Sequence, residues 1–201
     1  MEVEPDGQIQ NQSLSKNCRV FIPLAESSLV GAGGANMRWI SLICWLGLCF
    51  GAASISARWT ASELLEWYRT LTRPAITPRN SLFGPVWTLL YALMSIAAWL
   101  VWESAPSPLR NWGLVLFLVQ LALNVAWSLI FFRFHAIGAA MVEAILLWFA
   151  IGATALLFNR VSPAAAWLMA PYWAWTGFAA VLNEEFWRLN RRRLHLSVFS
   201  S

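Results

Sequence analysis

Trp87 and Tyr91 stand four residues apart, the spacing that puts two side chains on one face of a helix. Asn124, Trp127, Ser128 and Phe131 follow at 0, +3, +4 and +7, and Tyr172, Trp175, Ala179 and Asn183 at 0, +3, +7 and +11. Each set is a single helical stripe that mixes flat rings with amide and hydroxyl groups. The chemistry such stripes offer is stacking plus a few hydrogen bonds. If the three faces converge, they line a cavity suited to a planar, largely apolar ligand. The plainer alternative makes Asn124 and Asn183 interhelical glue and the indoles membrane-surface anchors. The anchor reading fits Trp39, Trp59, Trp102, Trp112, Trp167 and Trp187, which fall near the ends of apolar runs.

Other reactive side chains form no recognisable centre. Glu143 is the only acid well inside an apolar run, so it should be protonated, paired or turned to a wet interior. It reads either as a proton or cation site or as a neutral acid bonded to a neighbouring helix. His135 and His195 have no partner ligands, and Cys18, Cys44 and Cys49 follow no metal or redox spacing, so no metal site is expected. No nucleophile–base pair or phosphate-binding loop is present.

The elements that must position the stripes follow from composition. Of 201 residues, 59% are apolar and 12% charged, and 14 are tryptophan; mean hydropathy is +0.56. Soluble domains carry about 25% charged residues. The balance excludes a disordered chain, a nucleic-acid-binding domain and an ordinary cytosolic enzyme. It points to an all-α integral membrane protein. Five runs reach spanning length, at residues 39–57, 82–102, 112–132, 137–158 and 163–182. Short connections after the second, third and fourth predict antiparallel neighbours in a five-helix bundle.

Residues 1–36 are polar and read as a disordered tail, with Met37 as a second candidate start; 37–190 form the membrane domain and 191–201 a basic tail. Arg58, Arg69, Arg73, Arg79, Arg133, Arg188, Arg191, Arg192 and Arg193 fall on one side of the five spans. Only Lys16, Arg19, Arg38, Arg110 and Arg160 fall on the other. The C-terminus is therefore expected in the cytoplasm. Gly47 and Gly51 form a GxxxG, and Ala122 and Ala126 a small-xxx-small pair. Both allow close helix approach, within one subunit or between two. Pro171 should kink the fifth helix.

The one long connection runs from Arg58 to Ser81. Thr60-Ala-Ser-Glu63 reads as a capping box opening a short helix whose apolar face is Leu64, Leu65, Trp67, Tyr68 and Leu71, stopped by Pro74 and Pro78. So apolar a loop is expected to fold as a lid over the helix ends.

In order and spacing these features resemble the TspO/translocator protein family, the tryptophan-rich sensory proteins. The pieces are Trp67-Tyr68-x-x-Leu71-x-Arg73-Pro74-x-x-x-Pro78 and Phe83-Gly84-Pro85-Val86-Trp87-x-x-Leu90-Tyr91. They continue with Asn124-x-x-Trp127-Ser128-x-x-Phe131-Phe132 and Pro171-Tyr172-x-x-Trp175-x-x-Phe178-Ala179-x-x-Leu182-Asn183. The match covers residues 38–190. The resemblance implies a five-helix membrane protein, usually a homodimer, that binds porphyrins and other tetrapyrroles, and sterols in some members. It implies a pocket beneath the first loop. Tyr68 and Pro78 would come from the lid, Trp87 and Tyr91 from the second helix, Asn124 and Trp127 from the third, and Trp175, Ala179 and Leu182 from the fifth.

The chain also departs from the family pattern. Arg73-Pro74 replaces Lys-Pro, Ala75 and Ile76 stand where aromatics are usual, and Glu184, Glu185 and Phe186 lack the tyrosine of the mammalian sterol motif. These departures put sterol binding in doubt. The expectation is a membrane receptor or sensor whose tetrapyrrole stacks on Trp87, Trp127 and Trp175, with propionates paired to Arg73 or Arg79. No cofactor is required. Two alternatives follow from the resemblance and the residues. One is light-dependent porphyrin degradation, in which Trp87 and Trp175 would act; the other is a transporter of porphyrin or small lipid-like molecules.

Overall fold

The computed structural model describes residues 25–64 and 66–198, with side chains for 36–63 and 66–191. The chain divides into two units at Met37 and Arg38. Residues 1–24 of the expected tail, including Cys18, lie outside the described residues, as do the side chains of Arg192, Arg193 and His195.

Five helices account for the described chain, with no strand among those residues: α1 (Ala25–Leu64), α2 (Asn80–Trp102), α3 (Pro108–Ser128), α4 (Ile137–Val161) and α5 (Pro163–Val198). Helices α1 to α4 contain stretches long and apolar enough to cross a membrane. In α5 the indoles, Tyr172 and two prolines lower the mean hydropathy without adding charge to its first half. That half packs along α4 and α2 as the fifth rod of the membrane bundle.

Two short connections are made by proline and a hydroxyl. The Ser107 Oγ accepts from the Arg110 amide at 3.2 Å, with Pro108 in the first turn of α3. Ser162 alone separates α4 from α5, and its Oγ accepts from the Ala165 amide at 3.4 Å ahead of Pro163. Helix α3 ends in a single π-helical turn, Leu129–Arg133, closed by the Phe134 amide on the Leu129 carbonyl at 3.1 Å. His135 then takes a φ of 55°, the sharp turn that lets α4 begin at Ile137.

Several expectations change. Helix α1 begins at Ala25, within the stretch read as a tail, and α5 continues to Val198 through the expected basic tail. Helix α1 also runs unbroken to Leu64, so Thr60 is not a cap: its hydroxyl donates back to the Ser56 carbonyl at 3.1 Å. The short helix expected after it is only a 3-10 turn, Tyr68–Thr70. Among the described residues no neighbouring atom comes within 4 Å of a Cβ built on Gly47 or Gly51, so this GxxxG makes no close approach to any of them.

Trp39, Trp102, Trp112 and Trp167 are exposed, as anchors would be. Trp187 is not: its indole covers Gly138, leaving no room for a Cβ there. The same device recurs twice between α4 and α5, with Trp148 lying over Gly177 and Trp173 over Gly152. The core falls into two clusters, one around Tyr91, Met94, Phe117, Ile151 and Tyr172. The other gathers Tyr68, Phe131, Phe132, Ile137, Leu182 and Phe186 toward the first loop.

Candidate ligand-binding site

Between the two clusters lies a cavity of about 350 Å³. The aromatic stripes converge on it. Trp87 and Tyr91 reach it from α2, Asn124 and Trp127 with Ser128 from α3, and Trp175, Ala179 and Leu182 from α5. Tyr68 closes it from the first loop, and Phe131, Phe132, Asn183 and Phe186 complete the wall, the three phenylalanines clustering with Tyr68 at the loop end. Among the predicted site residues, Arg73 and Pro78 do not line the cavity. Arg73 stands one ring away, its guanidinium carbon 5.1 Å from the centre of the Tyr68 ring. Burial pushes the Tyr68 phenol above its ordinary range, and the Arg73 charge pulls it partly back.

The rings are held in fixed relation. Trp87 lies 5.8 Å from Tyr91 and 6.3 Å from Tyr172, Trp127 stacks on Phe131 at 5.1 Å, and Phe83 meets Trp175 edge-on at 6.1 Å. Behind them a hydrogen-bonded trio joins three helices. The Tyr91 hydroxyl donates to Asn124 Oδ1, and Asn124 Nδ2 donates to the Tyr172 hydroxyl at 3.0 Å. Tyr172 has no exposed surface and does not line the cavity, although it shares the α5 stripe. Its role is to fix Asn124.

Three lining residues each carry a buried polar atom without a hydrogen-bond partner among the described residues: Ser56 Oγ, Trp127 Nε1 and Asn183 Oδ1. Asn183 Nδ2 donates to the Ile137 carbonyl at 2.9 Å, which turns its oxygen the other way.

Sequence reasoning missed the contribution of α1. Phe50, Ala53, Ala57 and Thr60 face the cavity at 0, +3, +7 and +10, joined by Ser56. Two of those four residues are alanine, so the stripe has no aromatic signature. The only available signal was helical spacing continued past Ala57. On α2, Gly84 and Thr88 also line the cavity while remaining exposed, the Thr88 hydroxyl being satisfied by the Gly84 carbonyl at 2.9 Å.

Glu143 is buried on α4, and neither carboxyl oxygen has a hydrogen-bond partner among the described residues. The expected bond to a neighbouring helix is therefore not made. No group of three or more potential metal ligands occurs among the described residues either. Glu143→Met keeps the length and removes both orphaned oxygens. Orphaned buried groups cost about 1–3 kcal/mol each. The variant is expected to melt about 2–8 °C higher in detergent, as read by intrinsic fluorescence; an unchanged or lower melting temperature would show that Glu143 is stabilised in place.

The fold and site together define a class: a multi-pass membrane bundle of five helices with an aromatic cavity between them, roofed by the first loop. Residues 45–188 match the model of the TspO/MBR family, and the chain belongs to that family. The chain is 36% identical over 159 residues to the tryptophan-rich protein TspO of Chlorobaculum tepidum, covering 77% of this chain and 99% of that protein. It is 39% identical over 143 residues to the human translocator protein, covering 68% and 82%. To the tryptophan-rich sensory protein of Cereibacter sphaeroides it is 32% identical over 158 residues, covering 79% and 96%.

Proposed function

We propose that this member of the TspO/MBR family is a membrane receptor for tetrapyrroles, held in the cavity beneath the first loop. The observation that carries the reading is the convergence of Trp87, Trp127 and Trp175, from three different helices, on one hollow that also holds few polar groups. Flat indole walls favour a flat, polarisable ligand. The ring system lies between α2, α3 and α5. Because the lining carries no charge, the propionates leave the hollow under the loop, toward Arg73 beyond the Tyr68 ring. In the same reading the C-terminus is cytoplasmic and the protein is a homodimer.

Protoporphyrin added to the detergent-purified protein is expected to quench tryptophan fluorescence with micromolar affinity. Trp87→Leu combined with Trp175→Leu removes two stacking surfaces, each worth about 0.5–1.5 kcal/mol. The dissociation constant should rise by roughly 10-fold or more. Equal binding by the double variant would remove the ligand from this cavity.

A further inference from the structure

The first loop has to stay over the cavity for Tyr68 to form part of its wall. Within the loop the backbone hydrogen bonds are local, from Thr70 to Trp67 and from Thr77 to Pro74. Ring contacts help, with Tyr68 5.4 Å from Phe186 and Trp67 stacked at 4.2 Å on His135. At Thr72 the backbone itself is taken up by another element. The Thr72 amide donates to Asn190 Oδ1 at 2.9 Å, and Asn190 Nδ2 donates to the Thr72 carbonyl at 3.1 Å. One side-chain amide thus occupies both backbone groups of one loop residue, as a neighbouring strand would.

Asn190 is itself held. Its Nδ2 also donates to the Phe186 carbonyl at 2.9 Å, and the residue is 1% exposed. Both amide hydrogens and the oxygen are therefore used, which fixes the orientation of the group. Aspartate lacks the donors, leucine lacks every polar atom, and glutamine is one methylene too long for the same reach. Asn190 also continues the cavity stripe of α5: Trp175, Ala179, Leu182, Phe186 and Asn190 recur at 0, +4, +7, +11 and +15. Pocket wall and loop fastening are carried by one helix.

We infer that Asn190 is the positioning residue that fastens the first loop over the cavity, and so sets the rates of ligand entry and release. The inference rests on the ligand-binding reading of the cavity only for its kinetic consequence. The fastening stands on the Thr72–Asn190 geometry.

The test uses the full chain in detergent, wild type against Asn190→Leu, with two readouts. Hydrogen–deuterium exchange of the peptide spanning 66–79, without ligand, reports the fastening. In Asn190→Leu it is expected to quicken by about 10-fold at Thr72 while exchange across 91–101 stays unchanged. Stopped-flow quenching with protoporphyrin reports the consequence. Association and dissociation should both accelerate by about 10-fold, with the dissociation constant moving less than about 3-fold. A residue that merely supported the wall would weaken binding without speeding association. Should Asn190→Leu fail to fold, Asn190→Asp, which keeps only the acceptor for the Thr72 amide, gives the same comparison. Unchanged exchange at Thr72, or faster exchange with unchanged protoporphyrin rates, overturns the inference. Faster exchange at Thr72 in a protein that binds no protoporphyrin even as wild type upholds the fastening and overturns the tetrapyrrole reading alone.

Discussion

Asn124→Leu should lower the melting temperature of the detergent-solubilised protein by about 5–15 °C. The substitution keeps the volume of the side chain and removes the group that joins α2, α3 and α5. Tyr91 is 3% exposed and Tyr172 not at all, so water cannot replace what each phenol loses. A buried polar group left without its partner costs about 1–3 kcal/mol, and two are orphaned at once. For a chain of this size about 1 kcal/mol moves the midpoint by roughly 2–4 °C. The effect is assigned by a triple variant. Adding Tyr91→Phe and Tyr172→Phe to Asn124→Leu removes the orphaned hydroxyls and should recover most of the loss. If the triple variant is no more stable than Asn124→Leu alone, the damage comes from packing and the trio does not hold the helices.

The second large effect lies on the opposite side of α5. Gly177→Val places a branched side chain where the Trp148 Nε1 atom lies 2.9 Å from the Cβ position. Trp148 cannot retreat easily, because it stacks on Trp173 at 4.8 Å, and Trp173 is pinned by donating from Nε1 to the Trp148 carbonyl at 3.1 Å. Trp173 in turn covers Gly152, with its Nε1 3.1 Å from the Cβ position there. The two indoles and two glycines form a reciprocal lock between α4 and α5. Overpacking of this kind costs about 1–3 kcal/mol, which corresponds to a fall of roughly 3–10 °C. Since Trp175 and Ala179 flank Gly177 on α5, ligand affinity should weaken as well. Trp148→Ala should restore much of the stability of Gly177→Val, more than the two separate effects predict. Strict additivity would show that the two residues are not in contact.

Legibility varied with how local the signal was. The stripes on α2, α3 and α5 were readable because rings and amides recur at helical spacing within one element, so neighbours in the pattern are neighbours in space. The α1 wall was not, because Ala53 and Ala57 make room for a ligand without announcing it. Thr60 misled for a physical reason: a hydroxyl three residues before a carboxylate reads the same at a helix start and inside a helix, where Thr60 bonds back to Ser56. Pairings across long separations carried no signal at all. Asn190 and Thr72 are 118 positions apart, and nothing in either neighbourhood names the other. The glycines under Trp148, Trp173 and Trp187 are of the same kind. Each looked like an ordinary small residue until its partner helix was in place.

The uncharged lining of the cavity has a consequence for where its occupant comes from. Since the wall itself carries no charge, and the Arg73 guanidinium lies outside it beyond the Tyr68 ring, the solute's preference for hydrocarbon sets how full the hollow is. The surrounding leaflet then acts as the reservoir. On the proposed tetrapyrrole reading, a sparingly soluble pigment reaches the protein at the high local level it attains among acyl chains.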